Sequence, residues 1–193
     1  MYKRQLDILR GFDMFWITGG AYLFTELAKF SNWGFFKAIS QQLEHVEWAG
    51  FAAWDLVFPL FMFIAGVAIP YALLAKREKG VPKTTLYKKV TRRLILLVVL
   101  GFVYNGFLRF DFENMRYASV LGQIGFSYFF ASLIVLNVKK FQSLIIWGAG
   151  ILVGYGIIQL FIPVPGIGAG VLTPEGCING YIDRMLLPGR STI

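Results

Sequence analysis

Long runs of apolar residues alternate with short polar segments along the whole chain. Because backbone polar groups in hydrocarbon must be bonded within a helix or a closed barrel, a run of about 20 apolar residues predicts a membrane-spanning helix. We therefore predict an all-α fold, a polytopic integral membrane bundle with about five transmembrane helices in one transmembrane domain. The predicted spans are residues 8–28, 52–75, 90–108, 118–138 and 143–162.

The composition agrees with this class. Apolar residues make up 56% of the chain and charged residues 16%, and the mean hydropathy is +0.60, which is too apolar for a water-soluble domain. A net charge of +8 would suggest nucleic acid as a partner in a soluble protein. Here the basic residues stand in short segments beside the apolar runs, so we predict a lipid bilayer as partner and no nucleic acid.

The basic residues also predict an orientation. Thirteen of the nineteen lysines and arginines lie on one side: before the first span or in its first turn, between the second and third spans or in the first turn of the third, or between the fourth and fifth. Because cytosolic connections carry the excess of Lys and Arg, this side is predicted to be the cytosol and the N-terminus to be cytosolic. The connection that contains His45 then faces the outer side.

His45 is the only histidine of the chain, and Asp55 follows it at the start of the second predicted span. Histidine exchanges protons near neutral pH, and a carboxylate at a helix N-terminus can orient an imidazole. Two interpretations stay open. The residues form a catalytic pair, or His45 merely bonds a loop between Glu44 and Glu47 while Asp55 caps a helix. One histidine, one cysteine and scattered carboxylates offer no metal-ligand spacing, so we predict no metal.

Three motifs in this order carry a resemblance. They are Leu-Asp-Ile-Leu-Arg-Gly-Phe-Asp at residues 6–13, His45-x-x-Trp-x-Gly-Phe at 45–51, and Asp-Leu-Val-Phe-Pro-x-Phe-x-Phe-Ile-x-Gly at 55–66. Together they resemble the heparan-alpha-glucosaminide N-acetyltransferase family and its bacterial relatives. Family members are longer, so we interpret residues 1–193 as the N-terminal part of a longer acyltransferase. Residues 17–22 lack an asparagine that many relatives carry late in the first span, which leaves room for a different acceptor sugar.

The resemblance implies an enzyme that moves an acetyl group from cytosolic acetyl-CoA to the amine of a glucosamine-type sugar on the outer side. His45 matches the family's catalytic residue, and we place Asp55 beside it in the catalytic site. Whether the imidazole acts as a base or carries the acetyl group stays open. The acceptor, an amino sugar or glycan end, is predicted to contact Trp48, Glu44 and Glu47.

Acetyl-CoA is anionic, so basic residues on the cytosolic side are candidates for binding its phosphates. The predicted set is Arg10, Lys88, Lys89, Arg92 and Arg93. The alternative for this set is that its charges only fix the topology. The bacterial cytoplasmic membrane is the expected location, and the sequence leaves the oligomeric state, including a homo-oligomer, open.

A transporter or channel is the rival class. In that class Asp13, Glu26, Asp55 and His45 would form a proton or solute path through the helices. Asp13 also stands three residues after Arg10, a spacing that allows an ion pair on a helix. A third possibility is a structural membrane module whose activity resides in further helices.

Overall fold

The computed structural model of the chain describes residues 2–31, 33–46, 48, 50–107, 119–174 and 176–186. The predicted all-α fold is confirmed, since the only β feature in these ranges is an isolated bridge between Val164 and Gly168. In chain order the elements are α1 (Tyr2–Phe15), a π-helical segment (Trp16–Gly20), α2 (Ala21–Phe30), α3 (Gly34–Gln42), a 3-10 helix (Ala53–Leu56), α4 (Val57–Glu78), α5 (Lys83–Tyr104), α6 (Val120–Asn137), α7 (Phe141–Phe161) and α8 (Ile178–Leu186).

Three helical segments of the described chain are long and apolar enough to cross a membrane: Ala53–Glu78, Val120–Asn137 and Phe141–Phe161. They coincide with the second, fourth and fifth predicted spans. The third predicted span falls largely within α5, whose first half is strongly basic and which is not among the three. The membrane placement of α5 stays a prediction.

The first predicted span is not one continuous α-helix. A π-helical segment separates α1 from α2, and Gly19 within it has a φ of 148°, a backbone conformation that favours glycine. The Thr18 hydroxyl donates to the Met14 carbonyl at 2.7 Å, on the N-terminal side of this kink. Residues 2–30 therefore form two helices joined at a kink.

The chain divides into two compact units, Met1–Ala68 and Ile69–Ile193. In the first unit α2 packs against α3. In the second unit α5 packs against α6, and the core combines the end of α4 with both helices. The core residues are Ile69, Leu73, Leu86, Val90 and Leu136. The prediction of a single transmembrane domain stays a prediction.

Basic and polar side chains of the second unit tie the end of α6 to its neighbours. Arg77 donates from Nη1 to the Leu136 carbonyl at 3.0 Å. Tyr87 donates from its hydroxyl to Asn137 Oδ1 at 2.9 Å, and Lys83 donates from Nζ to the same oxygen at 3.4 Å. Cations near the last carbonyls of a helix are stabilising, so some of the basic residues that predict the topology also hold this helix end.

Close packing between α5 and α6 depends on Gly101. This glycine is buried, and a Cβ added to it would collide with the Ser119 hydroxyl. Ser119 is the N-cap of α6, and its Oγ accepts from the backbone N–H groups of Leu121 at 3.2 Å and Gly122 at 3.4 Å. Replacing Gly101 by alanine is therefore expected to lower the free energy of unfolding by about 1–3 kcal/mol, through overpacking.

The measurement is the thermal unfolding midpoint in detergent, with Gly150→Ala in α7 as the matched control. A Cβ at Gly150 meets nothing within 4 Å, so this change is expected to leave the midpoint unchanged or to raise it. Equal midpoints for Gly101→Ala and Gly150→Ala would contradict the packing argument.

Candidate active site

The connection between α3 and the 3-10 helix is folded back on itself. Gln42, the last residue of α3, accepts the backbone N–H of Ala53 with its Oε1 at 3.2 Å. Gly50 has a φ of 144°, and a Cβ at this position would lie 2.7 Å from Val46 Cγ1. These contacts close the connection, which brings His45 to the start of the 3-10 helix.

The His45 and Asp55 side chains are in direct contact. Nδ1 of His45 lies 2.6 Å from Oδ1 of Asp55, a short distance typical of a charge-assisted hydrogen bond. Oδ2 of the same carboxylate accepts the backbone N–H of Ala52 at 3.0 Å. Asp55 thus reaches back to the residue before the 3-10 helix, as an acidic residue does in a capping box, and also holds the imidazole. The sequence left open whether Asp55 pairs with His45 or caps a helix, and in the structure its carboxylate does both.

The His45 imidazole is exposed, and its Nε2 is available to react. The His45 side chain is 70% exposed, whereas that of Asp55 is 32% exposed. Trp54 packs edge to face against the imidazole, with ring centroids 6.3 Å apart. An ionised carboxylate at Nδ1 favours the tautomer that carries its proton there, so Nε2 is the nitrogen with an available lone pair. It can accept a proton or attack a carbonyl carbon.

The predicted acceptor-binding residues lie in the same connection. Glu44 is exposed next to His45, and the Trp48 side chain is 49% exposed. Glu47 lies outside the described residues. Trp54 is an additional site residue that the sequence alone did not single out. Its position directly before Asp55 was an available clue.

The acidic residues of the first unit differ in their partners. Arg10 pairs with Asp7 at 3.5 Å rather than with Asp13, the other partner that the helical spacing allowed. Glu26 pairs with Lys29 at 2.7 Å. Asp13 is 1% exposed, and neither of its carboxylate oxygens has a hydrogen-bond partner in the described ranges. A buried carboxylate without partners is costly when ionised, which favours its neutral form.

The four basic residues predicted on α5 lie on two faces of the helix. The Arg93 guanidinium stacks 4.1 Å from the centroid of the Tyr128 ring on α6. Lys89 lies beside Lys76 in the last turn of α4. Lys88 and Arg92 line the other face. No carboxylate among the described residues pairs with any of these four cations. Nor do the described residues include a group of three or more His, Cys, Asp or Glu side chains that could hold a metal ion.

These features define a polytopic α-helical membrane protein with a histidine–carboxylate pair ahead of an apolar spanning helix. The chain is 28% identical to heparan-alpha-glucosaminide N-acetyltransferase of Homo sapiens over 183 residues, covering 75% of this chain. It is also 28% identical to the Mus musculus protein of the same name over 190 residues. The chain is thus a relative of these N-acetyltransferases, as the motifs predicted. It spans 27% of the length of each, and no family model matches it.

Proposed function

We propose that this protein is a transmembrane N-acetyltransferase that moves an acetyl group from cytosolic acetyl-CoA to the amine of a glucosamine-type sugar on the outer side. The observation that carries the proposal is the 2.6 Å contact between His45 Nδ1 and Asp55 Oδ1. The relatives support it, because their name states N-acetyl transfer to heparan alpha-glucosaminide. The bacterial cytoplasmic membrane remains our expectation for the location.

In the direct route His45 acts as a general base. The amine nitrogen attacks the thioester carbon, a C–N bond forms, the C–S bond breaks and the sulfur leaves as thiolate. The amine proton passes to Nε2 of His45, and the Asp55 carboxylate stabilises the imidazolium. His45 then returns the proton to the thiolate or to water, which regenerates the neutral imidazole.

In the covalent route Nε2 itself attacks the thioester carbon, the C–S bond breaks and CoA leaves as thiolate. In a second step the amine nitrogen attacks the acetyl carbon, the bond between that carbon and Nε2 breaks, and the amine proton passes by way of the freed Nε2 to the thiolate or to water. The Asp55 carboxylate serves both routes, because it fixes the same tautomer. Acid quenching after mixing with acetyl-CoA alone separates them. An acetyl group on the peptide that contains His45 indicates the covalent route, and an unmodified peptide indicates direct transfer.

Lys89 and Arg93 are the α5 residues that we assign to the phosphates of acetyl-CoA. Both turn toward neighbouring helices, where Lys76 adds a third cation, and no described carboxylate neutralises them. The 22 residues of α4 rise about 33 Å, close to the thickness of a bilayer core. Asp55 precedes this helix and Lys76 lies in its last turn. The predicted topology assigns the acceptor amine to the outer side and the donor phosphates to the cytosolic side.

Neutralising these two cations tests the donor site. The double variant Lys89→Gln/Arg93→Gln is expected to raise the KM for acetyl-CoA about tenfold or more, with a smaller effect on kcat, because two charge-assisted contacts to phosphate are lost. The control is Lys139→Gln/Lys140→Gln, which removes the same charge from the connection between α6 and α7. An equal KM for the two double variants would contradict the assignment.

The activity itself is tested with membranes that contain the protein and acetyl-CoA labelled in the acetyl group. Label is expected on glucosamine and on glucosamine-terminated oligosaccharides, and not on N-acetylglucosamine, whose amine is already blocked. Absence of label on every amino sugar, with folded protein present, would contradict the proposal.

Asp13 favours a transporter as the second candidate function, since a buried carboxylate with no partner among the described residues is typical of proton-carrying sites in membranes. Asp13→Asn separates the two functions. If the protein is an acetyltransferase of the proposed kind, acetyl transfer stays near the wild-type rate in this variant. If it is a proton-coupled transporter, solute moves unmodified across vesicle membranes and uptake is lost in the variant.

A further inference from the structure

One face of α5 is exposed among the described residues. The buried side of this helix is marked by Leu86, Val90 and Gly101. Successive residues of an α-helix are rotated by about 100°, which places Lys88 and Arg92 on nearly the opposite side. Both side chains are exposed.

This outer face forms an open groove of about 440 Å³. Its first two turns are polar and basic, and its next turn is apolar, with Ile95 56% exposed and Leu96 50% exposed. The lining residues are Tyr87, Lys88, Thr91, Arg92, Ile95 and Leu96. The groove thus changes from charged to apolar within about one helical turn. Such a surface suits an amphiphilic ligand better than a soluble anion.

The apolar part continues along the helix. Val99 and Val103 follow on the same face and are both exposed. From Arg92 to Val103 the helix rises about 17 Å at 1.5 Å per residue. This is close to half of a hydrocarbon core of about 30 Å, that is, to one leaflet. A lipid whose phosphate lies at Arg92 would have its chain along this surface.

The charge of the groove selects the lipid. Lys88 and Arg92 stand one helical turn apart, and no carboxylate within the described ranges pairs with either of them. Two cations that no described carboxylate neutralises attract an anionic headgroup at the predicted cytosolic surface. A zwitterionic headgroup is disfavoured, because its ammonium group would lie close to the two cations and be repelled by them.

We propose that the outer face of α5 is a binding site for an anionic phospholipid of the cytosolic leaflet. The phosphate lies between Lys88 and Arg92, and an acyl chain lies along Ile95, Leu96 and Val99. The site is distinct from the proposed acetyl-CoA contacts, because Lys89 and Arg93 turn toward α4 and α6. The ligand proposed for Lys88 and Arg92 carries a phosphate, as acetyl-CoA does, but also a hydrocarbon tail.

The test is native mass spectrometry of the purified protein titrated with phosphatidylglycerol or phosphatidylcholine. The wild type is expected to retain phosphatidylglycerol preferentially, and Lys88→Gln/Arg92→Gln to lose affinity for it about tenfold or more, since each basic residue at an anionic surface contributes several-fold. Lys139→Gln/Lys140→Gln is the charge-matched control and is expected to retain the preference. Ile95→Ser is expected to weaken binding with no change of charge.

Three outcomes would overturn the proposal. Equal binding in the double variant and the wild type would show that the groove is not the site. An equal loss in the control would show attraction to the whole surface. Displacement of the lipid by glycerol 3-phosphate or free CoA as readily as by phosphatidylglycerol would show a site for a soluble anion. All substituted side chains are exposed, and an unchanged thermal midpoint verifies that each variant is folded.

Discussion

Replacing His45 by alanine is expected to lower the rate of acetyl transfer to glucosamine by roughly 10²- to 10⁴-fold, the usual contribution of a positioned general base. The imidazole is held at Nδ1 by Asp55, so Nε2 is the group that takes the amine proton or carries the acetyl group. The initial rate is measured in membranes that contain equal amounts of wild-type and variant protein.

His45→Gln separates a catalytic role of the histidine from a structural one. The glutamine amide can still donate to the Asp55 carboxylate and support the connection, but it cannot act as a base or acyl carrier at neutral pH. Both variants are therefore expected to lose activity to a similar extent. If His45→Gln keeps the wild-type rate while His45→Ala does not, the histidine serves to hold the loop and has no catalytic role.

Asp55→Asn is expected to lower turnover by about 10² or more, because a carboxylate that fixes the tautomer and stabilises the imidazolium contributes on this scale. The asparagine oxygen can still accept the Ala52 N–H, so the start of the 3-10 helix is retained. The amide nitrogen can only donate to the imidazole, which favours a proton on Nε2 and blocks the base.

The control for this variant is Glu78→Gln, the same carboxylate-to-amide exchange at an exposed position at the end of α4. It is expected to leave the rate unchanged. A second comparison is the thermal midpoint. If Asp55→Asn reduces stability as much as Asp55→Ala and activity falls only in proportion to the folded fraction, Asp55 is a helix cap alone.

The apolar runs predicted α4, α6 and α7 closely, because the length of an uninterrupted apolar run determines whether a helix can cross hydrocarbon. The kink between α1 and α2 was not predicted from the apolar runs. Gly19 and Gly20 stand next to each other, and only the folded backbone shows that Gly19 is the one with positive φ. The Arg10 ion pair was missed for a similar reason, since Asp7 and Asp13 lie at the same spacing on either side.

The His45 and Asp55 pair was predictable as a hypothesis from the order of the motifs. The closure of the connection was not predictable, because the bond from Ala53 to Gln42 and the close approach of Gly50 to Val46 depend on the folded backbone. The placement of the four α5 cations on two faces of the helix could have been predicted from the sequence. A rotation of about 100° per residue already separates Lys88 and Arg92 from Lys89 and Arg93.

The central claim is that His45 and Asp55 act as one catalytic unit, and a double-mutant cycle tests it most directly. Acetyl transfer to glucosamine is measured for the wild type, His45→Ala, Asp55→Asn and the double variant. The double variant is expected to be no slower than His45→Ala, because Asp55 acts only through the imidazole. A loss equal to the product of the two single losses would show that the residues act independently and would contradict the account.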